Sequence, residues 1–226
     1  MKNSQFNKRW HSPTNVFMHL DELAVSIGQD KLEKNPRYQK AREARIAAVI
    51  AFVLSNFRNL PTYIRLPLDE PPDILLMQPN SGTMDITQVE LTTYRSSPEL
   101  LLDQLIRTKL QQNFPATYIL LVHLLTEDGV DYQAINKYLR EQDIYFPVWS
   151  LREFQSSPDT IAEVVIFNPD LQKIQINVGQ EAFEYRNKYK ESSGIAFPKR
   201  VANIKDVRSE SKDDECKIPP WESLES

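Results

Sequence analysis

The run PPDILLMQPNSGTMDITQVELTTY, residues 71–94, decides the fold. PPDILLM (71–77) reads as a strand entered through Pro71 and Pro72, PNSGT (79–83) as a turn, and MDITQVELTTY (84–94) as a second strand rich in β-branched residues. If the two strands close into a hairpin through the turn, Asp73 and Glu90 come side by side. A carboxylate inside a β-forming, buried strand is costly unless it is paired or holds a cation. Two carboxylates that close repel, and they share either a proton or a divalent cation. Magnesium suits such a pair: it takes hard oxygen ligands, one or two carboxylates, and completes its shell with water and phosphate oxygens.

Outward from this hairpin, RYQKAREARIAAVIAFVLSNFR (37–58) is the clearest helix, with Ile46, Val49, Ile50, Val53, Leu54 and Phe57 on a stripe of period 3.6. TYIRLPL (62–68) is a short strand before the hairpin. Residues 96–114 form a helix whose start is signalled by Ser97, Pro98 and Glu99. ATYILLVHLL (116–125) is a continuous apolar strand of the kind covered on both faces. Residues 128–142 are a helix, and IYFPVWSL (144–151) is a strand placed near an edge by Pro147, which cannot donate to a ladder. AEVVIFNPDLQKIQINV (162–178) is a hairpin turned by Asn168, Pro169 and Asp170. The order is helix, three strands, helix, strand, helix, strand and hairpin. It predicts an α/β fold with a mixed central sheet flanked by helices. The expected organisation is an N-terminal arm over 1–36, a core over 37–151, a β-hairpin extension packed on the core over 152–187, and a flexible polar tail over 188–226.

Composition narrows the functions. The chain has 226 residues and only five glycines, and contains neither a GxGxxG nor a GxxxxGK[ST] loop. Its one cysteine, Cys216, excludes an internal disulfide and a Cys-rich zinc site. No segment approaches the ~18 continuous apolar residues of a membrane span, and the first residues carry no signal-peptide core, so a cytoplasmic protein without membrane association is expected. A net charge of −4 argues against coating nucleic acid by charge alone, but leaves room for an acidic, cation-holding site with local basic residues.

PPD, strand, turn, strand and a central VELT together resemble the PD-(D/E)XK nuclease superfamily. The order of elements over residues 37–151 follows that superfamily's restriction-endonuclease-like αβββαβ core. The resemblance covers about half of the chain. It implies a magnesium-dependent endonuclease acting on DNA, with Asp73 and Glu90 as metal ligands. Family members often add an acidic residue on the helix before the first strand, and Glu43 matches in position. It also continues the apolar stripe of its own helix, although a carboxylate near a helix start equally suits the helix dipole or reaches water. The departure is at Thr92, which stands where the family has lysine. It shares Glu90's face, because residues i and i+2 of a strand point the same way. Either the positive charge has moved or the chemistry has been lost. Lys109, near the inward stripe of the following helix, is the first replacement, with Gln104 and Arg95 as further candidates at the substrate. An inactive nuclease-fold module serving nucleic-acid binding or protein assembly is the alternative, and a homodimer or a larger complex is compatible with either.

Other residues read more plainly. His11, His19 and His123 are too scattered for a cluster, and His123 suits a core position. Asp85 suits a turn, and Tyr94 suits packing on Glu90's face. Arg42, Arg45, Arg95, Arg107 and Lys109 are the basic residues available for phosphates.

Overall fold

The computed structural model describes residues 9–67, 72–96, 101–112, 115, 118–126, 129–144, 146–156, 159–167 and 170–189. The helix start read at Ser97, Pro98 and Glu99, the Asn168–Pro169 half of the hairpin turn, Cys216 and the tail beyond residue 189 lie outside the described residues.

The elements in chain order are α1 (Pro13–Ile27), α2 (Gln29–Lys34), a 3-10 turn (Pro36–Tyr38), α3 (Gln39–Arg58), β1 (Tyr63–Arg65), β2 (Ile74–Asn80), β3 (Thr83–Tyr94), α4 (Leu102–Leu110), β4 (Tyr118–Leu124), α5 (Tyr132–Glu141), β5 (Val148–Ser156), β6 (Asp159–Ile166), β7 (Gln172–Asn177) and α6 (Val178–Tyr189). All seven strands form one sheet, in sequence order from β1 to β7. The outer pairs are antiparallel, and β3–β4–β5 are parallel. The expected α/β mixed sheet is present.

Its two faces are built from alternate residues of each strand. One face, carrying Ile74, Leu76, Val89, Leu121, Leu151 and Val164, packs against α3 together with α1 and α6. The other face, carrying Tyr94, Leu120, Val122 and Val148, packs against α4 and α5. The apolar run of β4 is explained by this: it is central and covered on both sides.

Helix α3 was expected to show one apolar stripe, yet it is buried around most of its circumference. Its alanines, Ala44, Ala47, Ala48 and Ala51, let neighbours approach closely. Phe52 meets Phe17 of α1 in a stacked pair at 5.9 Å and Tyr185 of α6 edge-on at 5.6 Å. Each fully buried side chain of this size contributes roughly 1.5–3 kcal/mol. A buried polar network adds direction: Gln78 Nε2 donates to Thr62 Oγ1 (2.8 Å), Ser55 Oγ bonds the same hydroxyl (2.8 Å), and Tyr185 OH donates to the Thr62 carbonyl (2.9 Å). It ties α3, β1, β2 and α6 together.

Three expectations need correction. Strand β5 is interior, not at an edge: it pairs β4 through Leu120↔Val148 and β6 through Trp149↔Ile166. Pro147 is tolerated because it stands just before the strand and contributes only its carbonyl, which accepts from Leu120 N (2.9 Å). The 162–178 hairpin does not pack on the core as an extension. It continues the sheet, and β5 itself crosses the 151/152 boundary. Residues 178–189 form α6, started by Asn177, whose side chain accepts from Gln180 N (3.0 Å), so Lys188 and Tyr189 belong to a helix rather than to the tail. The N-terminal arm is mostly helix and does cap the core, burying Val16, Leu20 and Leu23, while His11 bridges to Ile64 at the β1 edge.

The β2–β3 connection is a two-residue turn with positive φ at both Ser81 (42°) and Gly82 (92°), the backbone twist that suits a tight hairpin. A Cβ at Gly82 would meet nothing within 4 Å, so backbone strain alone opposes a side chain there. Gly82→Ala should therefore lower the unfolding free energy by about 1–2 kcal/mol, measured by urea denaturation. An unchanged midpoint would show that the turn relaxes without cost.

Candidate functional site

The register of the hairpin builds the site. Ile74 stands opposite Val89, so Asp73, one residue before β2, comes next to Glu90. The Asp73 carboxylate accepts from the Leu91 amide at 2.7 Å, replacing the ladder acceptor that a longer β2 would have supplied. Glu90 is buried, and its Oε1 accepts from Lys109 Nζ of α4 at 3.2 Å. Because Val89 and Leu91 pack towards α3, the pleat turns Glu90 to the opposite face, where α4 lies. The same alternation places Thr92 and Tyr94 in line with Glu90. Thr92 is half-buried on that line. The structure thus brings Asp73, Glu90 and Lys109 together, with Thr92 adjoining.

It does not bring in Glu43. That side chain is buried on α3, which packs against the other face of the sheet, and its carboxylate is held by Lys40 Nζ (2.9 Å) and Gln39 Nε2 (2.8 Å) within its own helix. The three-carboxylate set is not assembled, because a helix on one face cannot extend its side chain through a packed sheet. Among the described residues, no group of three or more His, Cys, Asp or Glu side chains could hold a metal ion. Gln104 also falls away from the pair: it is exposed, and its Oε1 accepts from the Leu101 amide (3.4 Å) at the start of α4. Arg95 is exposed just past β3. Of the other basic residues, Arg42 donates to the carbonyls of Leu32 and Asn35 (both 2.9 Å), and Arg45 pairs with Glu153 (3.1 Å), so both brace the fold. Asp85 accepts from Arg58 (3.1 Å) and Asn80 (3.3 Å), fastening the hairpin to the end of α3. His123 has its pKa lowered by burial, against a smaller raising effect of Glu153.

Two charged residues escaped the reading of the sequence. Arg65 of β1 stands opposite Leu75, two residues along from Asp73 and hence on the same face. Its pKa is lowered by burial. The lone charge in YIR between apolar neighbours was the available signal. The second is Glu163 of β6, almost fully buried. It carries the same signal as Glu90, a single charge in the apolar run AEVVIF. Its Oε1 accepts from Tyr132 OH (2.8 Å), and its Oε2 from Lys173 Nζ (2.6 Å) and Gln175 Nε2 (3.1 Å). This satisfied carboxylate braces α5, β6 and β7. Glu90, by contrast, has Lys109 as its side-chain partner and stands beside the apolar Leu120 of β4.

No family model matches the chain, and neither a curated protein nor a solved structure matches it. No helix among the described residues is long and apolar enough to cross a membrane.

The brace has a pH signature. Burial pushes the Glu163 carboxyl up, but hydrogen bonds from Lys173, Tyr132 and Gln175 outweigh it and hold it below the usual glutamate range. A depressed carboxylate stabilises the fold above its unfolded pKa, and that contribution is lost as pH falls through the folded value. Glu163→Gln should therefore destabilise the protein at neutral pH and flatten its loss of stability below about pH 4.5, followed by urea midpoints from pH 7 to pH 3. Parallel curves for the two proteins would remove Glu163 from the acid transition.

Proposed function

We propose that this protein is a magnesium-dependent nuclease that hydrolyses phosphodiester bonds in DNA. The observation that carries the reading is the meeting of Asp73 and Glu90 on adjacent strands with the Lys109 ammonium 3.2 Å from Glu90. Two neighbouring carboxylates are what magnesium takes from a protein when water and phosphate complete its shell, so Asp73 and Glu90 fit the ion and would hold it. Bound there, the ion would neutralise phosphate charge and acidify a water molecule.

The chain's own residues do the rest. Lys109 sets a positive charge against the carboxylates, in the role the superfamily gives to the lysine of its strand motif. That charge comes here from the helix after β3, which frees position 92 for threonine. An ammonium held at a site of developing negative charge stabilises the transition state more than the ground state. Arg65, on the same face, adds positive charge on the β1 side for a bound backbone. The similarity to the PD-(D/E)XK order of elements supports this reading: helix α3, strands β1 to β3, helix α4 and strand β4 follow one another as in that core.

One observation favours a second reading, an inactive nuclease-fold module that binds nucleic acid or assembles with protein. The Lys109–Glu90 ion pair and the Leu91–Asp73 hydrogen bond also satisfy these carboxylates without any ion.

A cleavage assay separates the two. Circular and linear DNA and RNA are incubated with the full chain and magnesium or manganese. Wild type should cut DNA, and Asp73→Ala and Glu90→Ala should lose at least about 100-fold, as removal of transition-state stabilising groups does. Lys109→Ala should fall similarly, with partial retention in Lys109→Arg. Folded wild type that cuts nothing, or carboxylate variants as active as wild type, would leave the module reading standing.

A further inference from the structure

A cavity of about 370 Å³ opens beyond the carboxyl ends of β3 and β4, between α4 and α5. Its walls include Tyr94, Arg107, Ile135 and Tyr138, together with Asp103 and Asp131. Its size lies within the range of small-molecule sites, of which single planar groups occupy the lower end. Tyr94 connects it to the site: Glu90, Thr92 and Tyr94 follow one another on one face of β3, so the cavity begins about 13 Å along the strand from Glu90.

Its chemistry suits one kind of ligand. The Arg107 guanidinium, a planar delocalised group, covers the Tyr138 ring at 4.1 Å from its centre. Arg107 is half-exposed, and its pair with Asp103 is loose at 3.6 Å. Such a surface pair contributes only about 0–1 kcal/mol and the stacking on Tyr138 roughly 0.5–1 kcal/mol at an exposed site, so a phosphate that pairs with Arg107 can draw it off the ring and free that face for a base. An aromatic wall, an apolar floor and a movable arginine at the rim are the parts that bind an unpaired nucleotide, with the base stacked and the phosphate paired.

We propose that this cavity receives one unpaired nucleobase of the strand presented to Asp73 and Glu90, so that the substrate is single-stranded or frayed DNA. The proposal rests on the nuclease reading for its substrate, but its test does not depend on cleavage. Base stacking at Tyr138 and phosphate pairing at Arg107 would hold the strand, while an intact duplex keeps its bases stacked inside and cannot fill the cavity.

The test is binding by fluorescence anisotropy with the full chain, without divalent metal. The probes are a labelled single-stranded oligonucleotide, a blunt duplex of the same sequence and a fully abasic strand of equal length. The base-containing strand should bind ~10-fold or more tightly than either of the others, and Tyr138→Ala should remove that advantage without changing abasic binding. Tyr138→Phe should retain it. Gly129→Phe, at a cavity-lining position where a Cβ meets nothing within 4 Å, should abolish it by filling the space, which keeps the test decisive if Tyr138→Ala fails to fold. Equal binding of base-containing and abasic strands, indifference to both substitutions, or no binding at all would overturn the proposal. Cleavage is scored separately. DNA cutting that needs Asp73 without base preference sinks the cavity alone, and base preference without cutting sinks the nuclease reading alone.

Discussion

The register of the β2–β3 hairpin is the constraint on which the rest depends. A strand's side chains alternate between faces, so a one-residue slip would send every one of them to the other side of the sheet. With Ile74 opposite Val89, both pack towards α3, and the next pair, Asp73 and Glu90, is left for the face of α4. The two-residue turn at Ser81 and Gly82 fixes this count from one end. The Leu91 amide fixes it from the other by bonding Asp73 where the ladder stops. Burial of the apolar set and juxtaposition of the carboxylates therefore follow from the same event.

The parallel connection after β3 supplies the cation. A parallel neighbour requires a crossover, and here the crossover is α4, laid on the face that already holds Glu90. Leu102 and Ile106 anchor that helix in the core. One turn beyond Leu105 this leaves Lys109 reaching back to Glu90. An ammonium delivered by a helix meets the carboxylate without occupying β3, and Thr92 can then pack against the half-buried surface beside it. A strand lysine at 92 would have to keep its charge within a sheet whose neighbouring position on β4, Val122, is fully buried and apolar.

Much of this was legible in residues 71–94 because turn chemistry, β-branching and period-2 alternation all point the same way there. The hairpin and the adjacency of Asp73 and Glu90 could be read from these signals, whereas Lys109 was one of three candidates for the missing lysine's role, with Gln104 and Arg95, until the placement of α4 brought it to Glu90. Glu43 shows where spacing stops. Its place on the apolar stripe of α3 is real, and it is buried, but a stripe does not say which face of the sheet the helix will cover. Pro147 misled for a related reason: a missing donor matters only where the ladder needs one, and just before β5 it needs only a carbonyl. Helix α6 was obscured because it buries little beyond Val178 and Tyr185, leaving Phe183 exposed, so its apolar periodicity is weak.

Glu90 and Glu163 carry the same local signature and reach different ends. Each is a single carboxylate in an apolar strand, and each must be compensated because an isolated buried charge is costly. Around Glu163 the compensation is closed: a tyrosine hydroxyl, an ammonium and an amide donate to its two oxygens, from α5 and from β7. Around Glu90 it rests on one ammonium. The ammonium comes from one side, a second carboxylate stands on the other, and a further basic residue, Arg65, lies on the same face. Two carboxylates beside one another repel, and here the Lys109 ammonium and the Leu91 amide offset that repulsion. Each buried carboxylate thus meets an ammonium, and what sets Glu90 apart is the second carboxylate beside it, which the strand sequence alone does not contain and the sheet register does.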